Sequence, residues 1–212
     1  RRVLFRSGVA PFVFVVNPKV PVKTPADLVA YVKSHPDFRW SIGGQGVPGQ
    51  LSIIRFARLA GLNLDLSRMI TYRGNGPATT AVLSGEVDAN SAQPPAVLGA
   101  IQSGKLIGVG VAGPERLPNL PDVPTIASFG YPGFEALSWF GLWGPKDLPP
   151  ALAKQIRDQV AEAAKNPEFT RQFDAIGFKA AVSASPEAFA KQFKEEMNSN
   201  GALLKELNIK AE

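Results

Sequence analysis

The 212-residue chain contains no cysteine, a single histidine and two methionines. Without cysteine there is no disulfide framework and no thiol nucleophile, a composition that suits the cytosol and a bacterial periplasm equally. His35 alone argues against a His-based metal site and against a Ser-His-Asp triad. Its place beside Pro36 at a helix end is explained by the favourable dipole there. No apolar run approaches the roughly 20 residues of a membrane span. Charged residues make up 19% of the chain and the formal net charge is +5. Three of the arginines sit in Arg1-Arg2-Val3-Leu4-Phe5-Arg6-Ser7, which reads as translated sequencing-adapter sequence and is set aside from the fold argument. Without them the net charge is +2, too weak a field to argue for nucleic acid. The chain does not open with Met, and the natural N-terminus is expected to lie outside it.

Proline and glycine are abundant, at 19 and 20 residues, and they punctuate many short elements. Val9–Val16 is a continuous apolar run, the pattern of a buried parallel strand. Thr24-Pro25-Ala26-Asp27 then opens a helix, with Thr24 as N-cap. The alternation continues. Strands are expected at 38–42, 68–72, 87–91 and 106–112. Helices are expected at 48–60 (Leu51, Ile54 and Leu59 inward), 77–84 and 94–103. Strand–helix alternation argues for a parallel α/β sheet. Residues 114–132, with five prolines, form a long connection. Residues 134–143 read as extended, and three apolar stripes after Pro150 predict helices.

Two of the turns carry the functional signal. Gly43-Gly44-Gln45-Gly46 lies between a strand and a helix, and so does Tyr72-Arg73-Gly74-Asn75. A helix entered this way has unpaired N–H groups and a dipole that favours an anion. With no nucleophile, metal cluster or acid pair nearby, the turns suggest capture of an anionic small molecule. Backbone groups of Gly44–Gly46 and Gly74–Ala78 would meet that anion. Arg73 can pair with a carboxylate through two parallel hydrogen bonds, although alone it reads as a solvated loop arginine. Tyr72 offers a hydroxyl or simply ends its strand. Gln93 stands where a strand end faces the crevice of an open α/β sheet, or on a surface turn. Trp139 is either core or a cleft wall. Gly44–Gly49 also matches G-x-G-x-x-G, which keeps a nucleotide-dependent α/β enzyme as an alternative; Asp65, at the right distance for the ribose, precedes its strand. The proline-rich loop leaves an interaction module open as a third class.

At these residues the chain resembles the substrate-binding proteins of tripartite tricarboxylate transporters, the Bug family. The matching segments include Gly44-Gln45-Gly46, Tyr72-Arg73-Gly74, Gly85-Glu86-Val87-Asp88, Leu120-Pro121-Asp122-Val123-Pro124-Thr125, Gly130–Phe134 and Ser138-Trp139-Phe140-Gly141, in this order and spacing. The resemblance implies a two-lobed, type II-like periplasmic-binding-protein fold, with one lobe complete and the other partial. Residues 8–16 would belong to lobe 1, 17–138 to a parallel α/β lobe 2, and 139–212 to the remainder of lobe 1, after an artefactual 1–7. Crossovers would fall near Asn17 and Ser138–Phe140. It further implies a periplasmic, non-enzymatic monomer with no cofactor or metal. Such a protein would bind Gly43, Gly44, Gln45, Gly46, Tyr72, Arg73, Gly74, Asn75, Ala78, Gln93 and Trp139 to a small carboxylate and deliver it to membrane transporter subunits, with no nucleic-acid partner. The chain departs from the family pattern at Val47 and Gln50, where Thr or Ser and then His are frequent. It also departs at Ala92, in the place of an acid.

Overall fold

A computed structural model describes residues 2–210. Strand β1 (Arg2–Pro11) and strand β2 (Val13–Val16) are separated by Phe12 alone, yet they belong to different sheets. The apolar run Val9–Val16 is therefore two strands and not one. Both halves are apolar, so hydrophobicity gives no break at Phe12. The segment set aside at the sequence level is also part of the fold: Arg2–Ser7 continues β1, and Phe5 is fully buried.

The larger sheet holds β2, β3 (Trp40–Ile42), β4 (Met69–Thr71), β5 (Ala89–Ala92) and β6 (Ile107–Val111), in the order β4-β3-β5-β2-β6. β3 pairs parallel with β4 and β5, whereas β2 is antiparallel to both β5 and β6. The sheet is mixed rather than parallel. β2 arrives directly from β1 without a crossover helix, so it enters from the opposite end. Helices α1 (Pro25–Ser34) and α2 (Pro48–Leu59) cover one face, with Phe14, Trp40, Ile53 and Phe56 in the core. Helices α3 (Asn75–Ser84) and α4 (Pro94–Gln102) cover the other, over Val13, Val15, Val82 and Val97. Leu51 and Ile54 point inward as expected, but Leu59, at the end of α2, is 52% exposed.

The long proline-rich connection is packed. Val111 N–H donates to Pro124 C=O (2.8 Å). Leu117, Leu120 and Val123 are buried on the α3–α4 side. These three side chains anchor the loop to the fold, while Pro114, Pro118, Pro121 and Pro132 stay exposed.

The smaller sheet joins β7 (Leu137–Gly144), β1 and β8 (Lys179–Ala180) in the order β7-β1-β8, all antiparallel. β8 is two residues long and has no sequence signature. Helices α5 (Pro150–Ala163), α6 (Pro167–Ala175) and α7 (Pro186–Glu206) complete this body. α7 reaches across both bodies. Near its start, Phe189 packs on Trp139 and Trp143 of β7. Near its end, Leu203 is buried in the α1–α2 core, and Arg58 of α2 pairs with Glu206 (2.9 Å).

The chain passes between the bodies where three segments meet. Phe12 N–H donates to Ala136 C=O (3.0 Å), Ala112 N–H to Phe12 C=O (2.8 Å) and Ala136 N–H to Ala112 C=O (2.9 Å). The two sheets are joined by these hydrogen bonds at Phe12 and Ala136, five residues before Asn17 and two before Ser138. Asn17 sits at the far end of β2, where its buried amide donates to Val82 C=O (2.7 Å) at the end of α3.

Candidate functional site

The parallel strands β3, β4 and β5 end beside the Phe12–Ala136 crossing, because β2 starts there and runs against β5. In an open α/β sheet, ligands sit at this edge. Both glycine turns lie on it, one after β3 and one after β4, and they touch. Tyr72 N–H donates to Ile42 C=O (2.8 Å), and Gly74 N–H to Gly43 C=O (3.0 Å). A Cβ on Gly43 would stand 2.7 Å from Asn75 Oδ1 and 2.9 Å from the Gly74 carbonyl carbon, so only glycine allows this approach. Gly46 (φ +73°) and Gly74 (φ +100°) adopt backbone conformations that residues with a Cβ resist.

Several expected donors are already engaged. Gly46 N–H donates to the side chain of Gln50 (Oε1, 2.7 Å). Gly74 N–H is taken by Gly43, and Ala78 N–H closes the first helical bond to Gly74 C=O (3.3 Å). The N–H groups of Gly46, Gly74 and Ala78 are thus spent within the protein. Among the described residues no acceptor engages the N–H groups of Gly44, Gln45, Asn75 or Gly76. The Gln45 side chain donates to Thr71 Oγ1 (2.7 Å) and accepts from Gln50 Nε2 (3.2 Å). It ties the turns together and does not reach out for a ligand.

Of the two roles expected for Tyr72, the structure shows the strand end. Its ring packs on the α3–α4 core, and its hydroxyl donates to Glu86 Oε1 (2.7 Å). Burial first, then this carboxylate, pushes the hydroxyl up to about 12. Arg73 is exposed and carries no hydrogen bond or ion pair among the described residues. Gln93 is the N-cap residue of α4, and its Nε2 donates to Ser138 Oγ (2.8 Å) on β7. It thus bridges the two bodies at the crossing. Trp139 packs edge-on against Phe189 and Phe193 of α7, and its Nε1 donates to Glu196 Oε2 (2.5 Å).

A cavity of about 610 Å³ opens between α2, the crossing and α7. Gly46, Pro48 and Arg55 line it on one side, Ala136–Trp139 on a second, and Glu196, Met197 and Gly201 on a third. Of the predicted residues, Gly46 and Trp139 are on its wall. Arg55 escaped the sequence reading; its guanidinium donates to Asn200 Oδ1 (2.7 Å). Gln50, noted in the sequence only as a departure from a pattern, is 2% exposed and central to the first turn. A polar residue amid Leu51, Ile53 and Ile54 was the available signal.

The Gly44–Gly49 match does not take the dinucleotide form. Pro48 is the first residue of α2, so the turn ends at Val47. Gly49 is needed because a Cβ would lie 2.8 Å from Ser91 C=O. Asp65 N-caps the short 3-10 turn Leu66–Arg68 ahead of β4, with its carboxylate on Ser67. It does not stand at a strand end.

Residues 5–209 match the family described as the tripartite tricarboxylate transporter family receptor. Protein BugT of Bordetella pertussis is 30% identical over 204 residues, 96% of this chain and 61% of its own length. The structure described as periplasmic binding protein BugD superposes with a TM-score of 0.82 at 26% identity, over 100% of this chain and 70% of that one. R. palustris Rpa4515 with adipate gives a TM-score of 0.86 over 98% of this chain and 69% of its own; at 24% identity it shows the fold. The chain therefore spans about three fifths of BugT. Its two sheets are those of a two-lobed binding-protein fold, the five-stranded body one lobe and the three-stranded body part of the other. The chain belongs to the tripartite tricarboxylate transporter receptor family, whose members bind substrate for a transporter.

Proposed function

We propose that this chain is the solute-capturing part of a periplasmic receptor that binds a small carboxylate and presents it, as a monomer, to a tripartite tricarboxylate-type transporter. The observation that carries the reading is the pair of glycine turns packed against each other at the strand ends, with four backbone N–H groups unspent beside the crossing between lobes. Such donors sit at the positive ends of α2 and α3 and suit a carboxylate. Arg73, exposed and unpaired, supplies the charge that draws an anion in. Two relatives of the same fold support the ligand class, Rpa4515 with adipate and MatC with malate. Capture needs no bond chemistry. The ligand binds the closed arrangement of the lobes better than the open one and shifts the equilibrium towards it.

The test is a thermal-shift screen of the full-length protein against small carboxylates, with NAD(P) included. A solute that binds the native state alone stabilises it by about 2.7 kcal/mol at a hundredfold excess over its Kd. A shift with a carboxylate and none with nucleotide is the expected result. A shift with NAD(P) alone would replace the receptor with an enzyme.

A further inference from the structure

The two bodies also meet on the α3–α4 face of the larger sheet, opposite the face that α7 reaches. The meeting piece is the end of α6 and the turn into β8, residues 174–179. Gly177 is buried, and a Cβ there would stand 2.4 Å from Pro94 Cβ and 3.0 Å from Pro94 Cγ, at the first residue of α4. The backbone of one body thus rests on a rigid proline ring of the other, with no side chain between them. Beside it, Asn119 of the proline-rich connection reaches the end of α6. Its Nδ2 donates to Asp174 C=O (3.0 Å) and Ala175 C=O (3.2 Å). These are carbonyls that a helix end leaves without a partner in the helix. Asn119 Oδ1 is buried and has no hydrogen-bond partner among the described residues. At the rim, Lys179 Nζ pairs with Glu115 Oε1 (2.6 Å), an exposed pair that adds little.

We propose that this turn is the stop that sets the angle between the two bodies, with Gly177 as its bearing point and Asn119 as its fastener. The proposal rests on the two-lobed fold and not on the identity of the solute. A Cβ lies about 1.5 Å from its Cα, so Gly177 Cα is itself within about 3.9 Å of Pro94 Cβ, which is contact distance. The bodies can come no nearer on this face. The fastening is also reversible. Asn119 satisfies two carbonyls of α6 but leaves its own Oδ1 without a donor, which offsets part of the gain. When the bodies part, water reaches Oδ1 and the α6 carbonyls together, and no polar group is left buried and bare. The two faces therefore hold in different ways. α7 holds by burying Leu203, whereas this turn holds by a contact that solvent can replace.

The experiment measures the distance between spin labels in the full-length protein, without ligand. The labels sit on Lys105→Cys in the larger body and Lys165→Cys in the smaller one, both exposed positions. Gly177→Ala introduces a Cβ that needs about 1–1.5 Å more room, and the label distance lengthens by about that much or more. Adding Pro94→Gly removes the ring carbons that this Cβ meets and restores the reference distance. Asn119→Ala unfastens the turn and broadens the distance distribution beyond that of the reference. A folded Gly177→Ala protein with the reference distance overturns the proposal. So does a longer distance that survives Pro94→Gly, because strain at the positive φ of residue 177 (+74°) is then the cause. If Gly177→Ala does not fold, Asn119→Ala decides: a folded variant with the reference width sinks the idea. The receptor reading stands in each case, since no ligand enters the measurement.

Discussion

Tyr72 shows how a residue beside a candidate site can serve the scaffold instead. Sequence places it at the mouth of the second turn, but its hydroxyl is held by Glu86 at the far end of α3. Burial and the Glu86 carboxylate push the folded hydroxyl up to about 12 from an ordinary value of 10.0. A raised value means that its contribution to stability is complete below pH 10 and is lost as the pH climbs through 12. In an alkaline absorbance titration a late phenol step is therefore expected. Tyr72→Phe should remove that late step. A late step that persists in the variant would assign it elsewhere. The same residue explains why the site was only partly legible. Residue type and position along a strand are visible in a sequence, but the side of the sheet a strand-end side chain takes depends on its neighbours. Gln93 and Trp139 repeat the lesson: each spends its polar group on a partner more than 40 residues away, Ser138 or Glu196, which no local window shows.

At the scale of elements, the helix starts were the most legible feature. The Thr24-Pro25-Ala26-Asp27 signal is local, and the structure forms the full reciprocal cap: Asp27 N–H donates to Thr24 Oγ1 (3.1 Å), and Thr24 N–H to Asp27 Oδ2 (3.0 Å). The Thr24 hydrogen bond, ahead of Lys23, holds the Asp27 carboxyl below its usual 3.8. Thr24→Ala should cost about 1 kcal/mol at neutral pH in urea unfolding. A lowered carboxyl value means that its share of this stability is present above pH 3.8 and is lost as the pH falls through the folded value. The gap between wild type and variant should therefore narrow in acid. A gap that is constant from pH 7 to 3 would show that Asp27 takes no part. What the sequence hid at this scale is non-local. The reversal of β2 follows from where β1 leaves it, and β8 exists because Lys179 and Ala180 fall opposite Val9 and Gly8. Neither leaves a mark in a window of ten residues.

For the whole molecule, α7 decides how freely the two bodies move. It is fastened to β7 by Phe189 and to the α1–α2 core by Leu203. Between these anchors lies Asn198-Ser199-Asn200-Gly201, a run of weak helix formers facing the cavity at Asn200 and Gly201. Leu203→Ala should cost about 2–5 kcal/mol, the usual range for emptying a buried leucine site. In amide hydrogen exchange the loss should concentrate in the last two turns of α7, with β3 and β5 still protected. Uniform loss of protection would mean that α7 is integral to the larger core and no strap at all.

The crossing at Phe12 also fixes an order of assembly. Residues 13–136 form the larger sheet and its helices as one uninterrupted stretch, whereas the smaller sheet must bring Pro11 to Leu137 and Arg2 to Gly144. Contacts that distant are slow to form unless the intervening chain has already collapsed. The larger body is therefore expected to form before the ends of β1 and β7 meet. Among the described residues both partners of β1, at 137–144 and 179–180, leave the ribosome more than 120 residues after it, so this pairing is closed only late in synthesis.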